Sequence, residues 1–293
     1  MSAEVIRRTF RRILSGDDEG QPPWVRALGR PGDAGWFGPD SAVWEVHSSL
    51  ATLVGGVRAL LLQSCHPLAL AGVEQHSSYR TDPLGRLQRT NQFVTTTTFG
   101  STSQAEAVTA AVRQVHERVV GTAPDGRAYA ATDPRLLLWV HLTLTDSMLV
   151  AAQRYHRRSV DADAYVADMA VTGRAVGVVE PPRNEAELKE ALDGFRGEVS
   201  GGPQAREVAR FLQWPYPALP APAMPGYVVL ARAASDLLPP WAPPLLGISA
   251  RSSLVKSADA ATCTVMLRGL QGVLGPRSMA VTLAHQRIGG PVD

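Results

Sequence analysis

Two histidines and a pair of arginines are the residues of this 293-residue chain best suited to chemistry. His116 stands four residues after Val112 and eight after Val108. At about 100° per residue that spacing puts it at the edge of an apolar helical stripe, facing inward. His141 stands four residues after Leu137, three before Leu144 and seven before Met148, on the buried side of the next helix. A buried neutral imidazole needs a hydrogen-bond partner or a metal. These two are therefore either core histidines bonded to carbonyls or two parts of one internal site. Arg86 and Thr90 share a face at i and i+4 if 84–90 is helical, with Arg89 beside them. Adjacent guanidiniums repel unless negative charge lies between them, so the group is either an anion clamp on the polar side of a pocket or is paired with carboxylates such as Glu74 or Asp82. His66 before Pro67 and His76 before two serines read as cap or loop residues.

These side chains need helices to hold them. Ser103 with Glu106 reads as a capping box opening the helix of His116, whose stripe is Val108, Val112, Val115 and Val119 and which Gly121 stops. Asp133 followed by Pro134 opens the helix of His141, with Leu137, Val140, Leu144 and Met148 on one face. Residues 48–74 are apolar nearly all round, as in a helix inside a domain, and Pro67 should kink or end it near Cys65 and His66. The stretch 74–102, which holds Arg86, Arg89 and Thr90, has no readable period. Asp161 caps a helix running to Arg174, Asn184 with Glu187 caps another, and 253–287 reads as two helices parted at 272–276. At the start, Val5, Ile6, Phe10, Ile13 and Leu14 fall at helical spacing among arginines. That is a short amphipathic helix packed on the body, with membrane-surface contact or an organellar address as alternatives.

The expected architecture is all-α, one large multi-helix domain over 1–293, with proline-rich connectors at 214–225 and 239–244 read as extended links between helices. A boundary at the first connector is the alternative division. Composition is globular, with 45% hydrophobic and 19% charged residues and a net charge of +2. Basic and acidic residues are interleaved, so no nucleic-acid partner is expected. Cys65 and Cys263 lie far apart, which argues against a disulfide or thiolate zinc site and leaves histidine as the natural metal ligand. With no cleavable signal and no long apolar run, the expectation is no transmembrane span and a cytoplasmic location. The motifs HExxH, GxSxG and GxxxxGK[ST] do not occur.

The run HPLALAGVEQHSSYRTDPLGRLQRTNQF, followed by VHERVVG and ATDPRLLLWVH, resembles the bacterial MpaB-like oxygenase family, related to the catalytic domain of rubber oxygenases (latex clearing proteins). The resemblance covers 45–158 best. It rests on Arg86 and Thr90 in an RxxxT pattern, on His116 followed by Gly126, Tyr129, Ala130, Asp133 and Pro134, and on Trp139 to His141. It implies globin-like helix packing around a haem b, with His116 as the axial ligand of the iron. Arg86 and Thr90 would flank the haem pocket, His141 would stand on the cofactor side in a supporting role, and Arg86, Arg89 and Thr90 would form the catalytic set. Some rubber oxygenases have a lysine where this chain has Arg89. An arginine stays protonated, so a lysine's role as a base or neutral ligand does not carry over. The implied activity is a haem-dependent oxygenase using dioxygen on an apolar or isoprenoid-like small molecule or natural-product intermediate. Polyisoprene itself would call for an export signal. The alternatives are a haem-dependent dehydrogenase or peroxidase-type tailoring enzyme, and a helical protein that binds haem or an apolar ligand without turnover.

Overall fold

A computed structural model describes residues 2–214 and 219–289. In chain order the helices are α1 (Ala3–Ser15), α2 (Pro23–Ala27), α3 (Ala42–Ser48), α4 (Ala51–Gln63), α5 (Pro67–His76), α6 (Pro83–Phe99) and α7 (Thr102–His116). A two-stranded antiparallel hairpin, β1 (Val120–Thr122) and β2 (Ala128–Ala130), leads into α8 (Pro134–Tyr155) and α9 (Ala162–Ala175). The remainder is α10 (Glu185–Asp193), α11 (Pro203–Gln213), α12 (Met224–Asp236), α13 (Ala242–Leu246), α14 (Ser253–Leu274) and α15 (Met279–Arg287). The fold is all-α apart from that hairpin.

The core is organised on α4 and α8. Gly55 makes their close approach possible, since a Cβ there would sit 2.8 Å from Met148 Sδ and 3.0 Å from the Ser147 carbonyl. Val46, Leu61, Leu62, Trp139, Leu142, Leu149, Tyr165 and Phe195 fill the main cluster around the pair. By length and apolarity α8 could cross a membrane, but 61% of its most apolar window is buried inside the fold, which is the environment of a central core helix. Asp133 caps it by accepting from Arg135 N at 2.7 Å, with Pro134 in the first turn. Asp133→Ala should lower stability by about 1 kcal/mol in denaturant titration. As the proline predicts, the apolar segment of 48–74 breaks: α4 and α5 meet at 106°, and His66 caps α5 by accepting from Ala69 N.

Several expectations need correction. The unreadable stretch is helix α6, capped by Asp82, which accepts from Gly85 N at 2.9 Å. Its β-branched run Thr95 to Thr98 disguised it, yet all four threonines are buried, and Thr97 returns its hydroxyl to the Phe93 carbonyl at 2.9 Å. The capping box of α7 is Ser101 with Gln104, two residues before the expected Ser103 and Glu106. The apolar stripes are also rotated. Val115 is 58% and Val140 42% exposed, while α7 buries Ala105 and Thr109 instead. The prolines of 239–244 do not make an extended link: Pro243 and Pro244 occupy the first turn of α13, where no backbone N–H is missed. Of the connector at 214–225, residues 215–218 lie outside the described residues; the rest forms a 3-10 turn (Ala221–Ala223) and the start of α12.

Candidate functional site

Hydrogen bonds and packing contacts link the elements that carry the singled-out residues. α5 ends at His76, and the next residue, Ser77, accepts a hydrogen bond from Arg86 on α6. His76 Nε2 bonds the Val120 carbonyl at 3.1 Å, four residues beyond His116. The β1–β2 hairpin thus rests on α5, through Tyr129 and Ala123 packed on Ala71 and through Tyr129 Oη donating to Gln75 at 2.6 Å. Three residues before His116, Arg113 donates to the carbonyl of Ala175 at the end of α9. Two residues earlier on α9, Gly173 lies against the His141 ring of α8.

His116 closes α7, where Ala105, Thr109 and Val112 lie on the inward side and lead to it. It is half-buried, its Nδ1 is enclosed without a hydrogen-bond partner, and burial lowers its pKa from the ordinary value. It is therefore a neutral imidazole, the protonation state that binds a metal. His141 is 6% exposed. Its Nε2 is also enclosed and unpartnered, as is the hydroxyl of Thr145 one turn along α8. Burial, with Arg174 assisting, pushes His141 down to about 4. A methyl at position 173 would stand 2.8 Å from His141 Cε1. Gly173→Ala must therefore push the ring aside, at a cost of about 1–3 kcal/mol in denaturant titration.

The arginines do different work from one another. Arg89 is 61% exposed, donates to Ser78 Oγ at 2.8 Å and pairs with Asp82 at 3.4 Å. Arg86 is half-buried and donates to Ser77, so the two guanidiniums fasten successive serines of the loop between α5 and α6. Thr90 is exposed and returns its hydroxyl to the Arg86 carbonyl at 3.1 Å. Of the two readings for this cluster, carboxylate pairing holds for Arg89 through Asp82. Glu74 is taken by others: Tyr79 donates its hydroxyl to it, and Arg80 holds it at 3.1 Å and bridges to Glu207 at 2.8 Å. The Tyr79–Arg80–Glu74 group gave no periodic signal in the sequence. Another missed residue is His47, whose Nδ1 bonds Thr98 Oγ1 at 2.7 Å and whose Nε2 bonds Tyr165 Oη at 3.1 Å.

His47 and His141 make acid sensitivity predictable. Burial puts both near pKa 4, against about 6.5 in the unfolded chain. The unfolded chain thus binds more protons between those values, and stability falls as pH drops from about 6.5 toward 4. The slope is up to about 1.4 kcal/mol per pH unit for each histidine. Denaturant titrations at neutral pH and at about pH 5 measure it.

Among the described residues no three His, Cys, Asp or Glu side chains converge as a metal site. A metal held wholly by protein side chains therefore has no candidate there, whereas a haem iron takes four ligands from its macrocycle and needs one imidazole from the chain. His116, neutral and with an enclosed nitrogen that nothing else claims, fits that requirement. Compared with known proteins, residues 44–271 match the model of a family described as ER-bound oxygenase mpaB/B'/Rubber oxygenase, catalytic domain. No curated relative and no solved structure matches the chain.

Proposed function

From the premise that this chain belongs to the family of mpaB and rubber oxygenase catalytic domains, we propose that it is a haem b-dependent oxygenase whose substrate is an apolar or isoprenoid-like small molecule or natural-product intermediate. The observation that carries the haem reading is the neutral, half-buried imidazole of His116 with an enclosed and unclaimed nitrogen. In this reading His116 is the iron ligand, and the haem, when bound, supplies the redox chemistry with dioxygen. The remaining work belongs to the chain. Arg86 and Arg89 tie down the α5–α6 loop and keep positive charge on it, and Arg86, the less exposed of the two, would suit a carboxylate of the cofactor. Thr90, one turn from Arg86, adds a hydroxyl to the same side. His141, held neutral against Gly173, can accept or donate one hydrogen bond but carries no charge into the interior at neutral pH.

Titrating the purified protein with haem b tests the reading. One haem per chain with a sharp Soret band is expected, and a folded protein that gives no such band would refute it. Turnover under labelled dioxygen then separates an oxygenase, which leaves the label in its product, from a dehydrogenase or a peroxide-dependent enzyme.

A further inference from the structure

A cavity of about 340 Å³ opens between the chain just past α8 and the C-terminal end of α14. It is lined by Arg157 on the first side and by Arg268, Gln271, Gly272, Gly275 and Pro276 on the second. A volume of that order suits a small organic ligand and is far more than a bare inorganic anion needs. Tyr155, the last residue of α8, is 14 residues beyond His141, about 21 Å along the helix. The cavity is thus apart from His141, and no residue of the candidate site lines it.

Two of the lining residues are arginines and none is acidic. Arg157 and Arg268 make no ion pair and no hydrogen bond among the described residues. The neighbouring carboxylates are engaged elsewhere. Glu45 pairs with His156, beside Arg157, at 3.1 Å, and Asp161 caps α9 through Ala164 N at 3.0 Å. Asp259 of α14 pairs with Arg251 at 2.7 Å, and Glu4 pairs with Arg7 at 3.4 Å. Nor do the two arginines serve the end of α14, whose carbonyls are already taken. The Gln271 carbonyl accepts from Gly275 N at 3.0 Å, that of Val273 from Arg7 Nε at 2.8 Å, and that of Gly275 from the Gln271 side-chain amide. The glycine wall is bare backbone: a Cβ at Gly272 or Gly275 would meet no atom within 4 Å.

We propose that this cavity binds a small organic oxyanion, a phosphate monoester or a carboxylate carried on an apolar body. Two guanidiniums on one cavity with no carboxylate between them repel each other, and an oxyanion relieves that repulsion while accepting their fork of donors. Arg157 and Arg268 hold the headgroup, and the body lies over Gly272, Gly275 and Pro276, where no side chain blocks it. The proposal is independent of iron and of the reaction at His116.

Isothermal titration calorimetry of the full chain at constant ionic strength tests it, with phenyl phosphate, benzoate, inorganic phosphate and phenol as probes. Phenyl phosphate, benzoate or both should bind at one site per chain, and the tighter of the two names the headgroup. That binding should be about tenfold tighter than for inorganic phosphate or phenol, because head and body contribute together. R157A and R268A, at exposed positions, should each weaken it about tenfold and keep the melting temperature. Gly272→Leu sets a side chain over the bare wall and improves the helix propensity of α14, so it should abolish binding with an unchanged or raised melting temperature. Failure of both aromatic anions to bind overturns the proposal. Equal affinity for inorganic phosphate overturns it in favour of surface charge alone, and equal affinity for phenol in favour of an apolar hollow. Binding that survives R157A and R268A, or that survives Gly272→Leu, overturns it in favour of a site elsewhere on the chain.

Discussion

His116→Ala should leave the chain folded and remove the Soret band that the wild type acquires with haem b. His116 is the last residue of α7 and only half-buried, so truncation opens no core cavity and the variant should keep its far-ultraviolet dichroism. The loss of haem affinity should exceed the roughly 10–100-fold that removing an outer partner of a metal ligand costs, because the axial bond itself disappears. Added imidazole should restore part of the band in this variant, which a general packing defect would not allow. His141→Ala is the control. His141 lies between α8 and α9 against Gly173, so its loss should appear first as lowered stability. A variant pair with the opposite outcome, band kept without His116 and lost without His141, would move the ligand to α8.

What could be read without the structure was whatever depends on local rules. Asp133 with Pro134, Asp161, Asn184, and the break at Pro67 are set by the chemistry of a few adjacent residues, and the helices begin or end there. The α6 helix was hidden because four consecutive threonines carry a β-like preference, which burial against the body overrides. The inward direction of His116 was read correctly from the wrong stripe. Val115 looked like a core residue by spacing, but α7 turns its smaller side, Ala105 and Thr109, to the body. An apolar period cannot tell which edge of a stripe the tertiary packing will choose. The arginine cluster shows the same limit. Its i, i+4 geometry follows once α6 is a helix, but its partners, Ser77 and Ser78, are set by the return of the chain from α5, which has no signature in spacing. Neither Arg58 nor Asp146 stood out from the apolar helices around them, although together they form the most buried ion pair among the described residues.

That pair supports the second large prediction. The Arg58 side chain is 4% exposed, pairs with Asp146 Oδ2 at 2.6 Å and donates to Ser147 Oγ at 2.8 Å and to the Leu237 carbonyl at 2.9 Å. One side chain thus links α4, α8 and the end of α12. Arg58→Ala should cost about 3–5 kcal/mol, because it leaves Asp146 charged with little water to solvate it and a cavity beside Gly55. For a domain of this size that is a fall in melting temperature of roughly 10 °C. Asp146→Ala should cost a similar amount, since it leaves Arg58 buried without its counter-charge. The double replacement R58M/D146L separates two roles for the pair. If the charges stabilise the fold, the double variant should be as weak as the single ones. The desolvation of two buried ions argues the other way: the apolar pair should recover most of the loss or exceed the wild type. Thermal melts of the wild type, R58M, D146L and R58M/D146L form a double-mutant cycle, and its coupling energy should be large and favourable. Recovery in R58M/D146L together with a broadened, less cooperative transition would show that Arg58 and Asp146 fix how α4 seats on α8 more than how strongly it is held there.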